Sequence, residues 1–156
     1  MDTRQLGTNG PDVSVICLGA WPLGGGMGVI PDDQAIATIH ASIDAGANFI
    51  DPAEGYRTSE GVLGKALKGR RDQVFLATKL SGDQSAEHMT EAIENSLRSL
   101  GTDYIDLYQL HRPQFEIPIE DTMANLEKLR DEGKIRYIGV SNFSGEFCLR
   151  HEVFRD

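Results

Sequence analysis

The sequence is poor in cysteine and has no long apolar run, and each shortage excludes a class of protein. Its two cysteines, Cys17 and Cys148, are too few for a disulfide framework, so we expect free thiols in a reducing, cytoplasmic compartment. The absence of a run of about 18 apolar residues argues against a membrane-spanning helix. The polar residues 1–5 lack the apolar segment of a secretory signal.

Positive charge is also scarce. The sequence contains 15 lysines and arginines but 24 aspartates and glutamates, which gives a net charge of -9. Nucleic acids and anionic membrane surfaces are recognised by basic patches, so we expect neither as a partner. Hydrophobic residues make up 40% of the chain, which is enough for a folded core. The 17 glycines indicate tight turns or close approach between backbone segments.

Short β-rich segments alternate with segments of helical periodicity along most of the chain. The predicted strands are residues 13–19, 48–51, 74–79, 104–111 and 137–142. The predicted helices are residues 32–45, 59–69, 85–100 and 119–132. Each helix has a polar start, apolar side chains on one face and a terminal glycine; the third begins at Ser85 and is followed by Gly101.

Strands that alternate with helices predict a parallel α/β sheet. The strands begin about 31 residues apart, so eight units would need about 250 residues, the usual length of a closed (β/α)8 barrel. Residues 4–7 and 13–15 flank Asn9-Gly10, a typical hairpin turn. We therefore expect one C-terminally incomplete domain over residues 1–156: an N-terminal hairpin, about five parallel strands and four to five helices of a partial TIM barrel without strands six to eight.

A doubly wound open sheet is the competing architecture, because it has the same alternation of elements. It calls for a phosphate-binding glycine loop after the first strand. Residues 19–26 are rich in glycine but bulky in the middle, and Pro31 separates them from the following helix. The loop has neither dinucleotide-binding spacing nor a Gly-Lys-Ser/Thr ending, which argues against this alternative.

Polar and titratable side chains occur where the predicted strands end. These residues are Asp51 with the nearby Tyr56, then Lys79, His111, and Ser141 with Asn142. Taken singly, each has a structural explanation: a turn cap, a loop aromatic, a lysine reaching solvent, a structural histidine. In a parallel barrel, however, the carboxyl ends of the strands form the working face, so we expect these side chains to converge.

An acid, a phenol, a cation and an imidazole together suit proton donation to a carbonyl group that accepts hydride. Tyrosine is a weak acid near neutral pH, and a neighbouring lysine cation stabilises the phenolate that forms when the proton leaves. A carboxylate paired with the lysine would hold the cation in place, and a histidine would orient the substrate oxygen. No metal-ligand cluster or serine nucleophile motif is evident.

At these residues the sequence resembles the aldo-keto reductase family. The most specific segment is LGTDYIDLYQLH at 100–111, with NFIDPAEGY at 48–56 and KIRYIGVSNF at 134–143. Shorter matches lie at residues 4–7, 17–21, 59–60, 63–67 and 77–79, so the resemblance extends over residues 4–144.

The resemblance implies a (β/α)8 enzyme that reduces an aldehyde or ketone with NADPH, less often NADH. Tyr56 would be the general acid, Asp51 and Lys79 its tuning pair, and His111 the residue that orients the substrate. In the cofactor site, Ser141 and Asn142 would bind the nicotinamide carboxamide. Ala20 and Trp21 would border the nicotinamide, as would Asp51.

Several positions depart from the family pattern. Ala20 and Pro52 stand where threonine is usual, and Arg57 replaces a glycine. Residues 145–156 match the family's fifth helix poorly. The resemblance implies that most residues that bind the cofactor's adenine, ribose and phosphates belong to strands six to eight. Because these strands are not expected in this chain, we expect its NADPH affinity to be very weak.

Two further expectations follow from an incomplete barrel. The alternative to an active reductase is a truncated, catalytically inactive fragment or a non-enzymatic binding or regulatory subunit. Open strand edges and an uncovered inner face also predict poor solubility, self-association or partial disorder unless a second chain completes the barrel.

Overall fold

The N-terminal hairpin predicted around Asn9-Gly10 is present in the computed structural model, which describes residues 1–150. Residues 151–156 of the C-terminal tail, including His151, lie outside the described residues. Strand β1 (Thr3–Gln5) pairs antiparallel with β2 (Asp12–Ser14). The backbone N–H of Leu6 donates to the carbonyl of Pro11 (2.9 Å) and closes the loop between the two strands.

The larger sheet contains five parallel strands within residues 1–150, in the order of the sequence. They are β3 (Cys17–Gly19), β4 (Phe49–Asp51), β5 (Phe75–Leu80), β6 (Ile105–Leu110) and β7 (Ile135–Val140). Each strand lies beside the next one along the chain, as expected when every crossover passes over the same face. The predicted α/β fold, a partial (β/α)8 barrel, is confirmed.

Helices follow these strands as predicted, with boundaries that differ by a few residues. They are α1 (Asp32–Asp44), α2 (Ser59–Ala66), α3 (Ala86–Leu100), α4 (Ile119–Asp131) and α5 (Gly145–Arg150). Ser85 caps α3, because its side chain accepts the backbone N–H of His88 (3.3 Å), and Gly101 ends it in a left-handed conformation. Between residues 1 and 150 no helix is long and apolar enough to cross a membrane.

The hydrophobic core lies between the helices and the outer face of the sheet. Ile39 of α1 and Leu63 of α2 are fully buried there, as is Ile50 of β4. Burying an aliphatic side chain of this size contributes about 1.5–3 kcal/mol, so this layer fixes the position of each strand. The opposite, inner face is open: Tyr137 is 39% exposed, and the free thiol of Cys17 is also exposed.

The segment predicted as one strand over residues 13–19 is divided between two sheets. Val15 and Ile16, both about half exposed, separate β2 from β3. The Ser14 hydroxyl donates to the carbonyl of Ile16 (2.7 Å), and the Ser14 backbone N–H donates to Oδ1 of Asn48 (2.7 Å). These bonds end the hairpin strand and turn the chain into the barrel sheet.

Candidate active site

An ion pair with a buried lysine joins the carboxyl ends of β4 and β5. Asp51 is the last residue of β4, and Lys79 lies one residue before the end of β5. The Nζ of Lys79 is 2.8 Å from Oδ1 of Asp51 and also donates to the carbonyl of Pro52 (2.8 Å). Since only 6% of the Lys79 side chain is exposed, its cation has a fixed position at this edge of the sheet.

Tyr56 and His111 meet beside this ion pair. The Nζ of Lys79 lies 5.0 Å from the centre of the Tyr56 ring, and the Tyr56 hydroxyl is 3.4 Å from Nε2 of His111. The tyrosine and histidine rings are nearly perpendicular, at 77°. The structure therefore brings together the four residues predicted from the strand ends.

The loop that carries Tyr56 is held by a close backbone approach. A Cβ atom at Gly24, in the loop after β3, would lie 2.0 Å from the carbonyl oxygen of Tyr56. The Tyr56 carbonyl also accepts the backbone N–H of Ser59 (3.1 Å) at the start of α2. Only glycine fits at position 24, and this packing fixes the backbone from which the Tyr56 side chain extends.

Two polar residues at the site were not predicted from the sequence. The Nε2 of Gln109 donates to Oδ1 of Asp51 (3.0 Å), and Oγ of Ser81 is 2.8 Å from Nδ1 of His111. Gln109 lies two residues before His111, and Ser81 two residues after Lys79. Because side chains alternate along a strand, a search at two-residue spacing from each predicted residue could have found both.

Burial lowers the pKa of the His111 imidazole below its ordinary value of 6.5, and the cations of Lys79 and Arg112 lower it further. The carboxylate of Asp51 acts in the opposite direction but more weakly. Near neutral pH the imidazole is therefore uncharged and carries one proton. It can donate one hydrogen bond and accept another.

The residues expected at the cofactor lie around the same rim. Ala20 is completely buried, and its backbone N–H donates to the carbonyl of Asp51 (3.2 Å), whereas Trp21 is half exposed. After β7, Nδ2 of Asn142 lies 3.0 Å from Oγ of Ser141 and donates to the carbonyl of His111 (2.8 Å). A hydroxyl beside an amide offers both donors and acceptors, so this pair fits a carboxamide such as that of nicotinamide.

A cavity of about 390 Å³ opens beside His111. It lies between the loop after β5 and the loop after β6, and its walls include Gly55 and Ser81. This volume lies within the usual range of small-molecule sites. The cavity therefore gives a small molecule access to His111, one of the four converging residues.

A sequence profile of the aldo/keto reductase family matches residues 15–147. The chain is 46% identical to "Aldo-keto reductase YhdN" of Bacillus subtilis (strain 168), over 94% of this chain and 48% of that protein. It thus spans about half the length of the curated relatives it matches.

Solved structures of family members have the same fold. The holo form of aldo-keto reductase AKR11C1 from Bacillus halodurans superposes with a TM-score of 0.87 at 36% identity, over 97% of this chain and 53% of that one. An aldo/keto reductase from Klebsiella pneumoniae, in complex with NADP and acetate, gives a TM-score of 0.80 at 42% identity, over 86% and 48%. The chain described here belongs to the aldo/keto reductase family of oxidoreductases.

Proposed function

We propose that this protein reduces an aldehyde or ketone to an alcohol, with NADPH as the reductant and Tyr56 as the proton donor. The observation that carries the proposal is the position of the Lys79 cation, 2.8 Å from Asp51 and 5.0 Å from the centre of the Tyr56 ring. A cation held in this way stabilises the negative charge that develops on the phenolic oxygen while its proton is transferred. The complex of the Klebsiella relative with NADP supports NADPH rather than NADH.

The reaction needs a hydride and a proton. When bound, a reduced nicotinamide would supply the hydride that the carbonyl carbon accepts. The Tyr56 hydroxyl donates its proton to the carbonyl oxygen, so the C=O double bond is replaced by a C–H and an O–H bond. The Tyr56 phenolate that remains is stabilised by Lys79 and takes up a proton from solvent before the next turnover.

The remaining residues orient the reactants. Gln109 and Asp51 hold Lys79 at its place in the ion pair, because Gln109 fixes the carboxylate oxygen that Lys79 contacts. His111, uncharged near neutral pH, donates a hydrogen bond from Nε2 to the substrate oxygen. Ser141 and Asn142 would hold the nicotinamide carboxamide, with Ala20 and Trp21 on the same side of the site.

The proposal is tested by following the nicotinamide absorbance when the purified chain is mixed with NADPH and an aldehyde, with NADH as the comparison. Tyr56→Phe should lower carbonyl reduction by about 100-fold or more while NADPH binding stays the same. Tyr104→Phe is the matched control, because Tyr104 stacks on Arg71 and Arg136 just before β6, at the opposite end of the sheet. Equal activity of Tyr56→Phe and wild type would reject the proposed acid.

A further inference from the structure

Two glutamines fix the loops on either side of the cavity beside His111. The Nε2 of Gln84, in the loop after β5, donates to the carbonyl of Arg112 (2.6 Å) in the loop after β6. In the other direction, Nε2 of Gln114 donates to the carbonyl of Gly82. Gln84 is 1% exposed, so the donor side of the bond to Arg112 has a fixed, buried position. The walls of the cavity are therefore formed before a ligand enters.

Arg112 lines this cavity, and its positive charge is not paired with a carboxylate in the described residues. Its side chain is exposed, and within the described part of the chain it forms no salt bridge. Several other arginines are paired with carboxylates: Arg71 and Arg136 contact Asp106, and Arg70 contacts Asp44. Arg57 and Arg98 instead donate to uncharged groups and do not line this cavity. In a chain with a net charge of -9, the Arg112 cation at a cavity beside His111 is therefore available to an anionic ligand.

The rest of the cavity wall is uncharged and includes the apolar Pro113. Ser81 and Gln114 contribute a hydroxyl and an amide, Gly55 and Gly82 contribute backbone, and no lining residue among residues 1–150 carries a carboxylate. The carboxylate of Glu54 accepts the backbone N–H of Ser81 and is not part of the wall. A negative group that enters the cavity therefore meets one cation and, among the described residues, no opposing carboxylate.

We propose that this cavity binds the non-reacting end of the substrate and that the guanidinium of Arg112 binds a carboxylate there. The preferred substrates are then small aldehydes and ketones that also carry a carboxylate. This inference rests on the proposed reductase function and names the substrate class of the same site. A guanidinium matches a carboxylate with two parallel hydrogen bonds, which gives direction as well as charge recognition.

The test compares para-carboxybenzaldehyde with para-methylbenzaldehyde, two aldehydes of similar shape. Arg112→Met keeps the apolar stem but removes the charge, and it should lower kcat/KM for the carboxylated aldehyde by roughly tenfold. Reduction of the methyl compound should not change. Arg112→Lys should restore part of the preference, and added salt should weaken it. Arg98→Met, at an exposed arginine of α3, is the matched control.

Binding measurements test the carboxylate site independently of catalysis. Isothermal titration should show tighter binding of benzoate than of benzamide to the wild-type chain, and Arg112→Met should abolish the difference. A preference for benzoate without carbonyl reduction would reject the proposed reaction and support the anion site. Equal losses for both aldehydes in Arg112→Met, or equal binding of benzoate and benzamide to the wild type, would overturn the anion site alone.

Discussion

The hydroxyl oxygen of Ser81 lies 2.8 Å from Nδ1 of His111, on the side of the imidazole opposite Tyr56. The backbone N–H of Ser81 donates to the carboxylate of Glu54, which anchors the serine. A neutral imidazole carries a proton on one nitrogen only, so the partner at Nδ1 decides what Nε2 presents to Tyr56 and to a substrate. Ser81 is therefore in a position to select the tautomer of His111.

We predict that the Ser81 hydroxyl donates to Nδ1 and keeps the proton on Nε2. Ser81→Ala should then give a mixture of tautomers and lower kcat by about tenfold, less than the full effect of a proton-transfer group. Imidazole ¹⁵N chemical shifts report the tautomer directly. Ser42→Ala, which removes an exposed hydroxyl from α1, serves as the control. An unchanged tautomer in Ser81→Ala would contradict the prediction.

Gly55 offers a second variant that leaves the Ser81 hydroxyl in place. A Cβ atom at position 55 would lie 2.9 Å from Oγ of Ser81, closer than van der Waals contact allows. Gly55→Ala should therefore displace Ser81 and shift the His111 tautomer in the same direction as Ser81→Ala. A shift in Ser81→Ala without one in Gly55→Ala would show that the placement of the hydroxyl is not the controlling factor.

The lowered pKa of His111 predicts a specific pH dependence of stability. Burial, Lys79 and Arg112 all disfavour the imidazolium, so the folded chain binds this proton less readily than the unfolded chain does. The free energy of unfolding should therefore fall as the pH drops below 6.5 and level off once the folded imidazole is also protonated. Urea unfolding of wild type and His111→Gln should show this difference, and NMR titration of His111 should give a midpoint below 6.5.

Much of the fold follows from local sequence patterns. Ser85 and Gly101 mark the two ends of α3, and the buried strand β5 is recognisable as a continuous apolar run. The convergence of Asp51, Lys79 and His111 was also predictable, because parallel strands end at one edge of the sheet. These features depend on residues that are close in sequence or on the topology alone.

What could not be predicted depends on partners that are distant in sequence. The break between β2 and β3 is fixed by Asn48, which lies 34 residues after Ser14. The roles of Gln109 and Ser81 depend on contacts made across strands or between loops. Helix α5 lies in a segment where the family resemblance was weak, and its bounds were not assigned from the sequence.

The ion pair between Lys79 and Asp51 should couple stability to activity. Lys79→Met leaves the Asp51 carboxylate with Gln109 but without its cation. We expect a loss of about 2 kcal/mol in the free energy of unfolding, below the range for fully buried pairs because Asp51 is partly exposed. Carbonyl reduction should be abolished. In Asp51→Asn/Lys79→Met the loss should be smaller than the sum of the single losses, and strict additivity in urea unfolding would contradict this coupling.

Removal of the hydroxyl group of the buried Tyr108 should not affect activity, unlike removal of the Tyr56 hydroxyl. Tyr108 is fully buried, and its hydroxyl has no hydrogen-bond partner in the described part of the chain. Burial, with the carboxylates of Glu54 and Glu60, raises its pKa, so the phenol stays neutral. Tyr108→Phe should leave carbonyl reduction unchanged and stabilise the fold by up to about 1 kcal/mol. Destabilisation in thermal unfolding would reveal a partner for this hydroxyl.

The open inner face of the sheet predicts association between copies of the 156-residue chain. In the described residues β3 pairs only with β4 and β7 only with β6, which leaves two strand edges free. Beside β7, a surface cavity of about 730 Å³ is lined largely by apolar groups that include Leu107 and Tyr137. Exposed edges and apolar surface of this kind promote pairing with another chain.

Light scattering should therefore show an apparent mass that rises with protein concentration. Tyr137→Lys places a charge on the free edge and should reduce the association, because a buried charge opposes sheet-to-sheet contact. Val29→Lys introduces the same charge at a loop residue that is 97% exposed and should have no effect. Circular dichroism of both variants checks that they fold. A folded wild-type chain that stays monomeric at every concentration would refute the prediction, since the free edges would then attract no partner.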